Sequence, residues 1–232
     1  RLQLSQIDAG HAPDQLDPAL SQYLPVMNRC QIPVMPLMHL VNGLLLDQST
    51  ILVKDEAELI VYAYHVAGAV GLLMCPVLGC KNRAAFRFAV DMGIGMQLTN
   101  IARDILEDAR MGRRYLPESW TGQLAPNQIV ACAQAPDSPE YKQIQVATDR
   151  LLALADQYYE SGRLGLGFLP VRARYSIAVA ADVYRSIGIR LRTHQLRWGD
   201  GRVVTSNGEK LSASLQAFSR LYRQPKAAHN SN

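Results

Sequence analysis

The chain has 232 residues, 48% hydrophobic and 19% charged, with a net charge of +4. That composition suits one globular domain with a sizeable core and excludes an intrinsically disordered chain. The weak positive balance, with only four Phe and two Trp as stacking platforms, argues against nucleic acid and leaves an acidic small molecule or an anionic membrane surface as fitting partners.

In chain order the punctuation is helical. Apolar residues at spacings of three and four (Leu16, Leu20, Tyr23, Leu24, Met27) predict a first helix from Pro13 to Arg29. A second follows from about Pro33 to Asp47. Asp55 and Glu58 form a capping-box pair that opens a third helix, whose run Leu59 to Gly79 holds roughly 20 residues without a formal charge, enough to span a bilayer. Tyr62, Tyr64 and His65, Gly68 and Gly71, Pro76 and the lack of a flanking basic block favour a buried central helix instead. A fourth helix is expected from about Asn82 to Gly112. Polar stretches TGQLAPNQ and AQAPDSPE read as loop. Helices are expected again over Pro139 to Gly162, Val171 to Leu196 and Gly208 to Tyr222, with a turn-like WGDGR between the last two and a disordered tail, QPKAAHNSN. No G-x-G-x-x-G follows a strand pattern and no hairpin turns separate alternating strands. The reading is all-α, one domain. Cys30, Cys75, Cys80 and Cys132 show neither zinc nor disulfide spacing and read as reduced thiols of a cytoplasmic protein.

The chemistry concentrates in DMGIGMQLTNIARDILEDARMGRRYLP, Asp91 to Pro117. Asn100, Asp104 and Asp108 stand at i, i+4 and i+8, in line on a helix, with Gln97 just upstream. Such oxygens suit Mg²⁺, which takes one or two carboxylates from a protein and completes its shell with water and phosphate. Arg103, Arg110, Arg113 and Arg114 could hold the phosphate by paired hydrogen bonds. The competing reading is a solvated face with intrahelical pairs, Glu107 with Arg103 or Arg110.

The same stretch resembles the second aspartate-rich motif of the squalene/phytoene synthase family, most closely its bacterial phytoene synthase branch. YAYHVAGAVG from Tyr62, LPVRARYSIAVAADVYRSIG and GRVVTSNGEKL are similar to further family segments, so the resemblance covers essentially the whole chain. It implies an isoprenoid synthase fold, helices around a deep apolar cavity in which two prenyl diphosphates are joined head to head with loss of diphosphate. It assigns Asn100, Asp104 and Asp108 to Mg²⁺ (Mn²⁺ being the alternative), and Gln97, Arg103, Arg113 and Arg202 to diphosphate. Tyr62 and Tyr184, with Arg103, are expected at the reacting centre, against the plainer reading of core tyrosines. His65 reads as a hydrogen-bonded core histidine. Gly68 and Gly71 either leave room for an isoprenoid tail or allow close helix packing.

Geranylgeranyl diphosphate converted to phytoene is the favoured reaction. Farnesyl diphosphate converted to squalene or dehydrosqualene is the alternative, and squalene would also need NADPH, for which no motif is seen. A non-catalytic assembly or scaffold protein is the rival of another class. The family's first aspartate-rich motif is not found: Asp8, Asp14 and Asp17 lie in a polar stretch unsuited to it, and RLQLSQID resembles sequence just after it. With Arg1 in place of a methionine, the expectation is that the N-terminal helices bearing that motif are missing and that this chain alone is inactive. A cytoplasmic location, with peripheral membrane contact as an option, completes the expectations.

Overall fold

The computed structural model describes residues 17–201 together with Gln3, Leu4 and Ile7. Arg202, Asp8 and Asp14, the helix expected from Gly208 to Tyr222 and the tail lie outside the described residues. Within them the chain is helical: α1 (Pro18–Cys30), α2 (Val34–Leu46), α3 (Glu56–Ala63), a π-helical turn (Tyr64–Gly68), α4 (Ala69–Val77), α5 (Phe86–Arg103), α6 (Ile105–Arg110), α7 (Glu118–Thr121), α8 (Pro126–Cys132), α9 (Pro139–Leu164) and α10 (Val171–Thr193), with short 3₁₀ turns at Arg83–Ala85, Gly165–Phe168 and Trp198–Asp200. Among the described residues the only extended pairing is an isolated bridge between Leu52 and Arg114.

α5 is the central element. It packs against α9 most extensively, and also against α4, the π turn and α10. Glycines set how closely it can be approached. A Cβ on Gly71 would sit 2.1 Å from the Ala89 carbonyl oxygen, and one on Gly93 would sit 2.4 Å from that of Ala67. Two helix backbones therefore meet directly there, as the close-packing reading of Gly71 requires. The core that fixes α5 includes Leu59, Leu98, Ile144 and Leu151, all fully enclosed. Inside it the Thr99 and Tyr159 hydroxyls bond at 2.9 Å, with Thr99 also donating to the Gly95 carbonyl, so these buried polar groups are satisfied.

Five expectations change. Leu59 to Gly79 is not one α-helix: Ala69 N–H reaches back five residues to the Tyr64 carbonyl, forming a π turn. Here His39 of α2 bonds the Tyr64 hydroxyl at 2.7 Å and Gly43 packs on His65 and Val66. Nor is the segment enclosed on all sides. Leu59, Ala63, Ala69 and Cys75 are buried while Val61, Val70, Met74 and Val77 are exposed; the stretch Glu56–Val77 remains long and apolar enough to cross a bilayer. Its capping box is also shifted: Asp55 accepts from Glu58 N–H, but Glu58 accepts from Lys54 rather than Asp55.

The polar stretch after Thr121 carries α8, because Pro126 sits in its first turn, Gln128 caps the Ala125 N–H at 2.8 Å and Ile129 is buried. Finally, the long helix expected to Gly112 is interrupted at Asp104 (φ −106°, ψ 16°), which separates α5 from α6.

Candidate active site

The interruption at Asp104 leaves the acidic line intact. Asp104 N–H still bonds the Asn100 carbonyl at 3.0 Å and Asp108 N–H still bonds that of Asp104 at 2.8 Å. α6 then ends in a Schellman motif. Gly112 takes φ 75°, its N–H bonds the Ala109 carbonyl at 3.0 Å, and Arg113 N–H bonds that of Asp108 at 2.9 Å. Only a residue that tolerates the left-handed region closes the turn cheaply. The consequence is chemical: the motif folds Arg113 back onto Asp108, as the spacing D-A-R-M-G-R dictates.

Four acids crowd this place. Asp108 is held up to about 7, mainly by burial, with Asp104, Glu107 and Asp47 adding repulsion and Arg113 opposing them. Asp104 is gripped by Arg103 through two bonds of 2.7 and 2.6 Å, and that pairing holds the Arg103 guanidinium above its usual range. The Asn100 amide donates to Gln97 at 3.4 Å, yet its Oδ1 is buried with no donor, as is one Glu107 oxygen. A buried oxygen without a donor beside an over-acidic pocket fits a cation. Among the described residues no three acidic, histidine or cysteine side chains converge as a ready cage. The fitting set is therefore two carboxylates and the Asn100 amide, a set that Mg²⁺ completes with water and substrate oxygens.

Gln97 and Asn100 also form the polar end of a cavity of about 350 Å³. Tyr184 joins them from α10. The rest of the lining is apolar, running between α4 and α5 through Val70, Met74, Cys75, Ala89 and Met96 to Leu78, Ala85 and Leu169 at the far end. From Asn100 to Ala89 the α5 side of this wall spans about 16 Å, with Ala85 of the preceding 3₁₀ turn beyond it. Gly71 and Gly93 belong to the lining too, so the same glycines allow both the close packing and the space.

Not every sequence-derived candidate meets the cavity. Tyr62 is buried against Tyr115, the rings stacked at 4.7 Å, and both hydroxyls donate to Asp47, at 2.9 and 3.0 Å. Burial chiefly, with Tyr115 and Asp47, raises its pKa beyond the normal tyrosine range. Arg113 donates to the Asp47 carbonyl. Arg114 is withdrawn from any phosphate role: only 4% exposed, it bonds the carbonyls of Val53, Gly122 and Leu124, and Glu118. Arg103 pairs with Asp104, not Glu107. On α10, Arg185 and Arg192 are engaged by Asp156 and Asp149 of α9.

Asp47 and Tyr115 were not singled out from sequence. One signal existed for Asp47. It caps the C-terminus of α2, where the helix dipole disfavours a carboxylate, so another demand must hold it there.

The squalene/phytoene synthase family model matches residues 2–209. The chain is 39% identical over 175 residues to the 15-cis-phytoene synthase of Paracoccus sp., covering 75% of this chain and 55% of that protein. It is 34% identical over 228 residues to the phytoene synthase of Pseudescherichia vulneris, covering 96% and 71%. A crystal structure of a dehydrosqualene synthase in complex with ligand superposes with a TM-score of 0.79 at 26% identity, covering 96% of this chain and 77% of that one. The chain thus spans little more than half the length of several curated relatives it matches. A helical fold around an apolar cavity, one line of metal-suited oxygens at its polar end and a family match over most of the chain lead to one conclusion: it belongs to the squalene/phytoene synthase family.

Proposed function

We propose that this chain is the cavity-bearing part of an enzyme that condenses two prenyl diphosphates head to head with loss of diphosphate, geranylgeranyl diphosphate to phytoene being the favoured reaction. The observation that carries the proposal is the junction at Gln97 and Asn100: these two amides line an otherwise apolar cavity, and the helical line they begin continues to Asp104 and Asp108 just outside that lining. A diphosphate head and an isoprenoid tail require that pairing of surfaces. Asn100, Asp104 and Asp108 would hold Mg²⁺, or Mn²⁺. When bound, the cation draws charge from the departing diphosphate.

The chain's own groups do the rest. Arg103 and Arg113 stand beside the acidic line, where guanidinium forks can bind diphosphate oxygens as the carboxylates turn to other partners. Arg202, by family likeness, would add to that set. The apolar wall keeps water from an allylic cation. Tyr184 lines the same cavity, and its assigned part is to position the reacting head. Tyr62 acts one step back, holding Asp47 and Tyr115 in place.

A C15 reading has its own support in the likeness to a dehydrosqualene synthase structure. Exposed Leu44, Leu45, Leu46 and Val61 support peripheral contact between a cytoplasmic protein and a membrane. The test is incubation of the complete gene product with Mg²⁺ and each diphosphate. A C40 hydrocarbon with released pyrophosphate is expected, and loss of both in Asp104→Asn. A C30 product alone would transfer the assignment to farnesyl diphosphate. Turnover of neither would favour a scaffold. The chain holds one acidic motif only, so residues 1–232 alone are expected to be inactive in the same assay.

A further inference from the structure

At the far end of the cavity, α4 ends in the same backbone motif that closes α6. Gly79 takes φ 77°, its N–H bonds the Pro76 carbonyl at 3.1 Å, and Cys80 N–H bonds the Cys75 carbonyl at 2.9 Å. A Schellman motif brings the second residue beyond the cap against the third residue inside it. Here those two residues are both cysteines. Their hydrogen bond and standard bond lengths keep the two Cα atoms no more than about 6.8 Å apart, within the span a disulfide bridges. Both thiols are reduced and buried in a small cluster with Ala85, beside Phe86, Ala89 and Leu169. They interact, since the Cys80 thiol adds to the burial that holds Cys75 up to about 12.

The two differ in one respect. Cys75 lines the cavity together with Leu78 and Ala85, whereas Cys80 does not. A small oxidant that enters the cavity therefore meets Cys75 first, and a bond to Cys80 would draw the Cys75 sulfur out of the wall.

We propose that Cys75 and Cys80 are a redox modification site, forming a reversible disulfide with hydrogen peroxide as oxidant and thereby resetting the far end of the cavity. The chemistry balances. Peroxide oxidises one thiol to a sulfenic acid and leaves as water. The partner thiol then attacks that sulfur, the S–S bond forms, the S–O bond breaks and a second water departs. Two thiols are oxidised and one peroxide is reduced. A dithiol reductant reverses the bond by exchange. The high Cys75 pKa makes the reaction slow at neutral pH and faster as pH rises. Cys30 on α1 and Cys132 on α8 have no such partner across a helix end.

The experiment treats the protein with peroxide, quenches it and digests it with trypsin without reduction. Cleavage after Lys54 and Lys81 leaves both cysteines on one peptide, which should appear lighter by two hydrogens and regain them with dithiothreitol. In parallel, titration with the apolar dye anilinonaphthalene sulfonate reads the cavity whatever tail it accepts in life. Its affinity should change about fourfold on oxidation, as expected when contact with roughly one methylene-sized group of an apolar wall is gained or lost. Cys80→Ser should show neither effect, and Cys30→Ser plus Cys132→Ser should show both. Thiols left intact, oxygen added without the cross-link, or a cross-link with unchanged dye affinity would each overturn the proposal. Because neither readout uses a prenyl diphosphate, failure here leaves the prenyl transferase reading standing, and the reverse also holds.

Discussion

Asp108→Asn should make the metal-free protein more stable, although the residue is proposed to be essential. Asp108 is ordinarily a carboxyl with a pKa of 3.8, and burial with three acidic neighbours raises it to about 7 in the fold. A group raised on folding contributes its stability fully below the unfolded pKa and loses it as pH rises through the folded one. At pH 8 the native state therefore carries an ionised carboxylate that it holds poorly. About three pKa units correspond to about 4 kcal/mol as a ceiling. Asp108 is only partly buried, so solvent screening reduces this to on the order of 2 kcal/mol. Asparagine keeps the shape and removes the charge. In EDTA at pH 8, the variant's Tm should exceed that of wild type by about 4–8 °C, and the gap should shrink steadily toward pH 5. Mg²⁺ with pyrophosphate should invert the order, raising the Tm of wild type and not that of Asp108→Asn. A variant less stable than wild type at pH 8, or a gap independent of pH, would refute the electrostatic account of this site.

Gly71→Ala must move the Ala89 backbone and should cost about 1–3 kcal/mol in chemical denaturation. Gly112→Ala meets nothing within 4 Å and should cost only the left-handed penalty of about 1–2 kcal/mol. Arg114→Lys strands several buried carbonyls that one guanidinium now serves, and should lower stability by about 2–4 kcal/mol. The two tyrosines should separate: Tyr62→Phe loses a hydrogen bond worth about 1 kcal/mol with little change in turnover per folded molecule, whereas Tyr184→Phe should lower kcat of the complete enzyme with an unchanged Tm.

The all-helical character and most helix positions were legible because periodicity, caps and proline placement act locally. α9 was expected from Pro139 to Gly162 and runs to Leu164. The departures arise where a partner decides. Nothing local to YAYHVAG announces a π turn; His39 and Gly43 of α2 pack against it from elsewhere in the sequence. α8 was hidden because it is short and its first turn, Pro126 to Gln128, belongs to a polar stretch, while the burial of Ile129 and Cys132 that holds it is a tertiary event. At the site, the spacing of Asn100, Asp104 and Asp108 was readable and survives the break at Asp104. The hydrogen bond of Tyr62 to Asp47 was not, since Asp47 lies 15 residues away in sequence and meets it only after α2 and α3 have folded together.

One backbone device recurs, at the far end of the cavity wall and at the end of α6 beyond the cavity, and this bears on how a specific site arises from a generic fold. In each case a glycine in the left-handed region stops a helix, and the residue after it is turned back onto the last helical turn. At the end of α6 the residues so paired are Asp108 and Arg113, and the result is a carboxylate partly offset by a cation. At the far end they are Cys75 and Cys80, and the result is a pair of thiols within bonding reach. Backbone geometry supplies the pairing in both places at the same conformational cost. What differs is the side chain at two positions, so charge pairing at one end and redox sensitivity at the other can change independently without disturbing α5 or the packing that fixes it.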